Sequence, residues 1–522
     1  MKKVLSIFMA LLMILTVVST VAFSAFADEA VADSVFKNDM NAQDAYSDAV
    51  SKAKTNGETE FNVYTADQLF ALAGLINAST DGFVGCTINL KCDIVFNEGN
   101  AADWVTTAPT YPWSPIGSTT APFQGTFNGE GHTVSGLYIK SSSTSDNIGM
   151  FGRIKGATIK NLGVVNSLVY VPESHQGAYA GGLVGSMYNV AGTIEGCYSE
   201  AIIEADTYGV GGIVALVNFA GCAIKQCAFA GKINVTTKGT AAGIAGVVQK
   251  NDVVIEDCVN LGEVKAESRA AGIVAYATNN PTLTLARCLN LGKVETNAYA
   301  ELSRSGDDRV YSTEKRYDGA AFFGSVTSGS TITVNDCYLV TGLEQTQVYT
   351  GRQQSYNYVN ANNENKTQAA DAGSTTDATW ATTASVAASA IKGDAAKTAL
   401  TKLDFANNVW SAREGDYPVP TAVKTIIDGV ANVADPNATT GGNDDTGANT
   451  DTNNDTNNDA NNTNNDTNKA DETTDPQTIT TADATETDAV EESGCGSAIG
   501  GAAIALVIAV GGACAFVGKK RK

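Results

Sequence analysis

The sequence predicts an all-β protein: a right-handed parallel β-helix, or solenoid, with an N-terminal capping helix, followed by a disordered linker and one transmembrane helix. The first reason is a glycine-rich pattern that occurs six times, at steps of 33, 30, 31, 29 and 49 residues. Its copies begin at Gly149, Gly182, Gly212, Gly243, Gly272 and Ala321. Self-similarity at such a period is typical of solenoids, in which one repeat cannot bury its apolar face alone and must stack on its neighbours.

The second reason is the apolar pattern in the second half of each repeat. An aliphatic residue stands three positions before a leucine or cysteine: Ile159 before Leu162, Ile194 before Cys197, Ile224 before Cys227, Ile255 before Cys258, Leu285 before Cys288 and Val334 before Cys337. Such short apolar runs, separated by glycines, favour strands over helices. A period of about 30 residues suits a coil of two or three short strands.

Charged residues beside these apolar positions supply the third reason. They alternate in sign from copy to copy in two series, Lys160, Glu195, Lys225, Glu256 and Lys232, Glu263, Lys293. Equivalent residues of stacked parallel coils lie about 4.8 Å apart, where opposite charges attract and like charges repel. A solvated surface with chance alternation is the alternative, but two series in phase with the repeat favour in-register stacking.

Five cysteines share one position of the repeat: Cys197, Cys227, Cys258, Cys288 and Cys337. Because cysteine is small and often buried, we interpret them as an interior column of free thiols. A metal or redox site is the alternative, but the chain has no C-x-x-C pair and only two histidines, so zinc-ligand spacing is absent. A disulfide between adjacent coils fits by distance, yet exported chains usually pair cysteines to close loops. We expect no metal and no cofactor.

The chain begins with a predicted signal peptide, residues 1–27. Lys2 and Lys3 form its charged start, Val4–Val21 its apolar run, and Ala25-Phe26-Ala27 its cleavage site. No cysteine follows the apolar run, so a lipoprotein signal is not supported. Residues 28–60 form a polar N-terminal segment to which we assign no chemistry.

The predicted solenoid spans residues 61–425 and begins with a capping helix. Thr65 and Gln68 form a capping box that satisfies free backbone amides at a helix start, and an apolar helical face follows. A helix at this place would seal the open end of the apolar column, as solenoids require. A single alternating strand is predicted from residue 88 to residue 96, with Cys92 among its inward residues.

Several segments resemble GLUG-motif repeat proteins. They are Tyr111–Gly117 (YPWSPIG), Phe123–Val134 (FQGTFNGEGHTV), the returning glycine pattern, Trp410 and Gly415–Pro418 (GDYP). The resemblance covers about residues 61–420 and implies an extracellular bacterial β-solenoid. Similar repeats accompany immunoglobulin A1 peptidases. Such a peptidase needs a zinc-binding H-E-x-x-H helix, which this chain lacks, so His132 and His175 are interpreted as turn or strand residues.

A polar insertion, Asn297–Asp318, interrupts the repeats. Long insertions in repeat proteins map to surface loops and often bind ligands, and tyrosine and arginine are favoured contact residues. We therefore select Tyr311, Arg316 and Tyr317 as candidate ligand contacts. A solvated connection without a partner is the alternative. Residues 341–400 suggest no chemistry beyond a short helix within Ala387–Leu403.

Residues 426–494 are a predicted disordered linker rich in Asn, Asp and Thr. From Asp435 to Glu492 the chain has 15 acidic residues and one basic residue, Lys469. Such composition cannot offset the entropy of ordering. The charge also argues against a nucleic-acid partner, which requires basic patches. A calcium site at Asp451, Asp455 and Asp459 is not supported, because the glycine and bidentate glutamate of a calcium loop are missing.

Residues 495–518 are a predicted transmembrane helix, because Ala498–Val517 is an apolar run long enough for a bilayer core of about 30 Å. The basic tail, residues 519–522, places the C-terminus in the cytoplasm by the positive-inside rule. An L-P-x-T-G sorting motif is absent. The sequence therefore predicts an exported protein, anchored in the cytoplasmic membrane and displayed at the cell surface.

Three classes of function fit this layout. The first is adhesion, in which the solenoid binds a glycan or an extracellular protein. The second is a structural spacer without a specific ligand. The third is a polysaccharide lyase or hydrolase, which needs paired carboxylates. Glu195, Glu204, Glu256 and Glu263 could face a groove, but stacking against lysines explains their alternation. We favour the first class and expect no enzymatic activity.

Overall fold

The computed structural model describes residues 35–434, except for the short gaps 173–174, 176, 237–238, 297–298, 306–307, 316–319, 328–329, 344–347, 354–355, 360–364 and 369–384. The predicted signal peptide, membrane span and basic tail lie outside the described residues. Within the described ranges, no helix combines the length and apolarity that a membrane span requires.

The chain winds into a parallel β-solenoid of about seven turns. Each complete coil contributes one strand to each of five sheets, which we name A to E in their order around the coil. The expectation of two or three strands per coil was therefore wrong. The strands are only two to five residues long in the regular coils, and residues with positive φ turn the chain after most strands of sheets A and E. The right-handed winding stays a prediction.

The strands of sheet A are Glu60–Val63, Thr87–Leu90, Thr126–Asn128, Thr158–Lys160, Thr193–Glu195, Ala223–Lys225, Val253–Glu256, Thr282–Ala286, Thr331–Asn335, Tyr356–Val359 and Asn365–Gln368. Those of sheet B are Ile94–Val95, Thr133–Ser135, Gly163–Val165, Tyr198–Ser199, Ala228–Phe229, Val259–Asn260 and Leu289–Asn290.

The strands of sheet C are Tyr138–Lys140, Leu168–Val171, Ile202–Ala205, Lys232–Val235, Glu263–Ala266 and Val294–Thr296. Those of sheet D are Asn147–Ile148, Tyr179–Gly181, Gly209–Gly211, Thr240–Ala242 and Arg269–Ala271. Those of sheet E are Phe151–Ile154, Val184–Tyr188, Val214–Asn218, Ala245–Val248, Val274–Ala277, Ala320–Val326 and Val348–Gln353.

The in-register stacking predicted from the charge series is confirmed on sheet A. Glu195 is the register partner of both Lys160 and Lys225, and Lys225 is the partner of Glu256. The Lys225 Nζ lies 2.9 Å from the Glu256 Oε1. In the second series, Lys232 is the register partner of Glu263. Strands one residue out of register would instead turn these charges toward the core.

The predicted column of interior cysteines is also confirmed. Cys197, Cys227, Cys258, Cys288 and Cys337 are fully buried, and all are free thiols. Each of the four preceding Cys337 has its sulfur near the carbonyl oxygen of an aliphatic residue in the preceding coil; the Cys258 Sγ, for example, is 3.7 Å from the Ile224 oxygen. Burial raises the pKa of the Cys197, Cys258 and Cys337 thiols well above the ordinary value.

A corner in the left-handed conformation precedes this column in coil after coil. The corner residues all have φ between 51° and 61°: Asn161, Gly196, Gln226, Asp257, Arg287 and Asp336. Glycine, which adopts this conformation without strain, occupies only one of these corners. The others carry side chains outward at a backbone strain of about 1 kcal/mol each, which suggests that the outward side chains matter.

The N-terminal end is capped by two helices, α1 (Met40–Thr55) and α2 (Ala66–Ala78). The capping box at the start of α2 is confirmed: the Gln68 backbone amide donates to the Thr65 hydroxyl, and the Tyr64 amide donates to the Gln68 side chain. The single strand expected from residue 88 to residue 96 was wrong. It is two strands of sheets A and B with a turn between them, so Cys92 is only half buried.

The C-terminal part of the described chain folds back along the outer face of sheet B. It contains the strand Ser385–Ala387, the 3-10 turn Ala388–Ala390, helix α3 (Ala395–Ala399), a hairpin of Trp410–Arg413 and Asp416–Pro420, and helix α4 (Thr421–Ala434). Helix α3 is shorter than the predicted Ala387–Leu403. Helix α4 extends nine residues beyond the boundary placed at residue 425, because Ile426 and Ile427 are buried.

Candidate ligand-binding surface

The three contacts selected from the sequence are only partly visible. The insertion contains an antiparallel hairpin, Tyr299–Ser305 and Asp308–Lys315, where a loop was expected. Tyr311 lies on its second strand as the register partner of Glu301. Arg316 and Tyr317 lie outside the described residues. The selection of these three residues therefore stays a prediction.

The four glutamates considered for a catalytic groove lie on different sheets. Glu195 and Glu256 belong to sheet A, whereas Glu204 and Glu263 belong to sheet C. The five-strand coil places the two pairs on separate flanks, so the four glutamates do not share one groove.

Sheet C does carry a shallow groove of about 250 Å³, lined by Glu204 and Glu263 together with three lysines, Lys232, Lys265 and Lys293. The Asn234 amide donates to the Glu204 carboxylate at 2.8 Å. Lys232 is the register partner of Glu263. This flank is a charge-alternating surface, as the stacking explanation predicts.

A row of tyrosines occupies the outer corner where sheets D and E meet. The ring centroids of Tyr179 and Tyr208 are 6.3 Å apart, and those of Tyr208 and Tyr276 are 6.5 Å apart, both edge to face. The guanidinium of Arg269 lies 4.2 Å from the Tyr276 ring centre. Tyr208 is 39% exposed, and the other two rings are half-buried. We call Tyr179, Tyr208 and Tyr276 the tyrosine row.

Gly209 makes room for this row. A Cβ atom at Gly209 would lie 2.9 Å from the Tyr179 Cδ1 and 2.9 Å from the Val247 Cγ2. The Tyr179 ring therefore lies in the angle between sheets D and E, against side chains of both. Leu216 and Val247, which point outward from sheet E, are buried in this corner.

Burial raises the pKa of the Tyr179 and Tyr208 hydroxyls, and neighbouring Tyr276 adds to the shift at Tyr208. The rings thus stay neutral and offer an apolar face together with a hydroxyl that donates and accepts. Aromatic faces stack on the C–H surface of a sugar ring, and the hydroxyls bond to its polar edge. Tyrosine is also favoured at protein interfaces because it contributes a large contact area with few rotatable bonds.

A polar cleft of about 160 Å³ continues the row toward the N-terminus. It is lined by Pro115, Gly117, Ser118, Thr119, Lys140, Ser142, Asp146, Asn147 and Ile148. Asn147 is the register partner of Tyr179, so the cleft and the row lie on one line parallel to the solenoid axis. A linear polymer could therefore occupy both.

No pattern in the sequence predicted this tyrosine row. Tyr179 stands three residues before its glycine pattern, Tyr208 four residues before, and Tyr276 four residues after. The three offsets differ, so the repeat pattern does not relate them. In a coil of five strands, however, these positions on sheets D and E lie at one corner. Within the described ranges, no cluster of histidine, cysteine, aspartate or glutamate could hold a metal ion.

No family model matches this chain, and none of the curated proteins matches it. Among solved structures, the chain is similar to a crystal structure described as a putative immunoglobulin A1 protease from Bacteroides ovatus, with 16% sequence identity and a TM-score of 0.43. The similarity covers 69% of this chain and 91% of that chain. A likeness of this degree carries no argument about activity, and membership of the GLUG-motif family stays a prediction from the sequence.

Proposed function

We propose that this chain is an exported cell-surface protein whose solenoid binds a glycan along the tyrosine row without degrading it. In this proposal the C-terminal residues anchor the chain in the membrane, and the solenoid is displayed outside. The observation that carries the proposal is the row itself: three tyrosines, brought together from different coils, lie in line with a polar cleft on a partly exposed corner.

The distribution of charge supports binding rather than catalysis. Glycosidases use two carboxylates on opposite sides of the sugar, one of them with a raised pKa. The carboxylates of sheet C alternate with lysines, and the tyrosine row contains none. Glu200 does have a pKa raised by burial, but it lies on the flank that the C-terminal segment covers, bonded to the hydroxyl of Tyr198.

A structural spacer is the second candidate. The stacked coils and the C-terminal cover are sufficient for a rigid rod without any ligand. A spacer has no need for partly exposed tyrosines in one corner, however, and tyrosines on a surface cluster where partners bind.

The first experiment is a glycan and extracellular-protein array probed with residues 28–441, a fragment that retains all of helix α4. Reducing-end release is measured in the same wells. We expect saturable binding to a glycan, without release. Binding of Tyr208→Ala should be weaker by about tenfold or more, as for a contact residue of an interface. Tyr208→Phe should retain most of it.

Tyr170→Ala is the matched control, because Tyr170 also lies beside a cation, Lys140, but on sheet C. Its binding should stay at the wild-type level. Saturable binding that Tyr208→Ala leaves intact would move the site elsewhere, with the hairpin of Tyr311 as the next choice. Product release would instead favour a polysaccharide-degrading enzyme, and an array without any signal would favour the spacer.

A further inference from the structure

We infer that the glycan is acidic and that Arg153, Ser186 and Tyr188 form an oxyanion subsite at the N-terminal end of the tyrosine row. This inference rests on the proposed function and names the chemical class of its ligand. The group recognised is a carboxylate or a sulfate on the sugar, since both present oxygens in the geometry that a guanidinium accepts.

Within the part of the chain that the structure describes, Arg153 is a cation without an anionic partner. Its guanidinium lies 4.6 Å from the ring centre of Tyr188. Among the described residues, no carboxylate lies within salt-bridge distance of it, and its Nε is buried without a hydrogen-bond partner. Burial lowers the pKa of Arg153, opposed by the ring of Tyr188. Buried N–H groups are normally hydrogen-bonded, and the described chain supplies no acceptor for this one.

Ser186 provides an independent observation. It is fully buried, and its hydroxyl has no hydrogen-bond partner among the described residues. Ser186 is the register partner of Arg153, and the next residues on the two strands, Met187 and Ile154, are also partners and belong to the core. Ser186 and Arg153 therefore share the outer side of sheet E. Two buried donors without acceptors on adjacent strands are rare in folded proteins.

The repeat places this pair beside the tyrosine row. Gly209 of sheet D lies against Val247 of the next coil on sheet E. On sheet D, Asn147, Tyr179 and Gly209 occupy the same position in three successive coils. On sheet E, Ser186, Leu216 and Val247 likewise share one position in three successive coils. If each coil repeats the contact between Gly209 and Val247, Tyr179 lies beside Leu216 and Asn147 lies beside Ser186. The subsite follows the row directly, where the polar cleft begins.

The chemistry of the subsite follows from these positions. An oxyanion that enters beside the guanidinium accepts from Arg153, over which the Tyr188 ring lies. It also accepts from the Ser186 hydroxyl, which is fully buried and is reached once the side chains that cover it shift. The neighbouring Tyr179 ring then lies under the sugar that bears the oxyanion. Hydrogen bonds to charged groups are stronger than neutral ones, so this end of the row would determine which glycan binds.

The test uses the purified full-length chain and calorimetric titration with two pairs of glycans, each an anionic probe and its neutral counterpart. The pairs are oligogalacturonate with oligogalactose, and dextran sulfate with dextran. We expect at least one anionic probe to bind about tenfold or more tightly than its neutral counterpart. Arg153→Gln should abolish that difference, and Arg153→Lys should restore only part of it. Selective binding of oligogalacturonate would identify a carboxylate ligand, and selective binding of dextran sulfate a sulfate ligand.

Ser186→Ala separates binding from structure. Because the hydroxyl has no partner among the residues that the structure describes, the thermal midpoint should not fall, while affinity for the anionic probe should decrease severalfold. Lys265→Gln is the charge-matched control, since Lys265 lies on sheet C; its affinity should stay within about twofold of wild type, because exposed charges at a distance are screened.

Two outcomes would overturn the inference. Equal affinity for charged and neutral probes, lost in Tyr208→Ala, would remove the oxyanion subsite but leave the proposed function intact. Unchanged affinity of Arg153→Gln for any glycan that the array identifies would do the same. If no probe and no array glycan binds, both proposals fail together.

Discussion

Two outer faces of the solenoid are covered in different ways. The outer face of sheet B, which we call the sealed face, lies under the chain of residues 385–430, and Trp410 there is 1% exposed. Among the described residues, the outer corner of sheets D and E, which we call the open face, is covered by side chains, and Tyr208 there is 39% exposed. Both faces present apolar residues, but only the first has its own chain as a partner.

The sealed face is held by contacts between residues that are distant in sequence. The Trp410 Nε1 donates to the Asp257 Oδ1 at 2.8 Å, across 153 residues. Arg287 binds the same carboxylate at 2.6 and 2.7 Å. Helix α4 packs where Gly163 and Gly196 lack side chains, so a Cβ at Gly163 would lie 2.8 Å from Ile426. This solenoid thus covers one flank with its own chain and leaves tyrosine rings partly exposed on another, where the proposed glycan would bind.

The largest effect is expected from Trp410→Ala at the sealed face. It removes a fully buried ring and leaves Asp257 without one of its donors, so the free energy of unfolding should fall by about 3–5 kcal/mol. Urea unfolding followed by circular dichroism measures it. Trp410→Phe keeps most of the buried area and should lose less. If Trp410→Ala costs no more than about 0.5 kcal/mol, the range typical of exposed positions, the face is not sealed.

Asp257→Ala should have the next largest effect. It leaves the Arg287 guanidinium and the Trp410 indole N–H without their shared acceptor in a buried site. We expect a loss of about 2–3 kcal/mol in the free energy of unfolding. Asp336→Ala is the matched control, since Asp336 occupies the same left-handed corner two coils on. Equal losses in the two variants would show that the corner backbone, rather than the Trp410 contact, dominates.

Acid should weaken the ion pairs that Glu256 of sheet A makes with Lys225 and Arg287, beside the sealed face. Burial opposes ionisation of Glu256, but the hydrogen bond from Lys225 and the nearby Arg287 outweigh it, so its pKa lies below the ordinary value. A depressed carboxylate pKa contributes stability above the unfolded-state pKa of about 4.3 and loses it as the pH falls through the folded-state value.

We therefore expect Glu256→Gln to lower the free energy of unfolding at pH 7. Its difference from wild type should shrink as the pH falls below about 4. Urea midpoints measured across this range check the expectation. A difference that stays constant with pH would mean that the ion pairs of Glu256 contribute nothing.

The smallest effect on folding is expected from Tyr208→Ala at the open face. The ring is partly exposed and touches two other rings, each worth about 0.5–1.5 kcal/mol beyond area burial. Solvent exposure reduces this, so the free energy of unfolding should fall by no more than about 1 kcal/mol. Thermal and urea unfolding measure the change. A loss comparable to that of Trp410→Ala would make the tyrosine row a structural cluster instead of a binding surface.

Much of the fold could be predicted because it repeats. The cysteine column, the stacked charges and the capping box are local features, repeated at one spacing, and parallel strands convert equal spacing into contact. The glycine at the start of the pattern also depends on stacking. A Cβ at Gly243 would lie 2.3 Å from the Oδ1 of Asn260, a buried residue that donates to Asn290 in the next coil. The sequence by itself thus determined the period, the register and the interior of the coils.

The number of strands in a coil was visible only in the tertiary structure. That number determines which residues meet on the outer faces. The period is the same for three strands or five, but the corner that brings Tyr179 beside Tyr208 exists only in the five-strand cross-section. The contact between Trp410 and Asp257 depends likewise on where the chain folds back after the last coil. Such contacts join positions that are not equivalent in the repeat, so no periodicity in the sequence reports them.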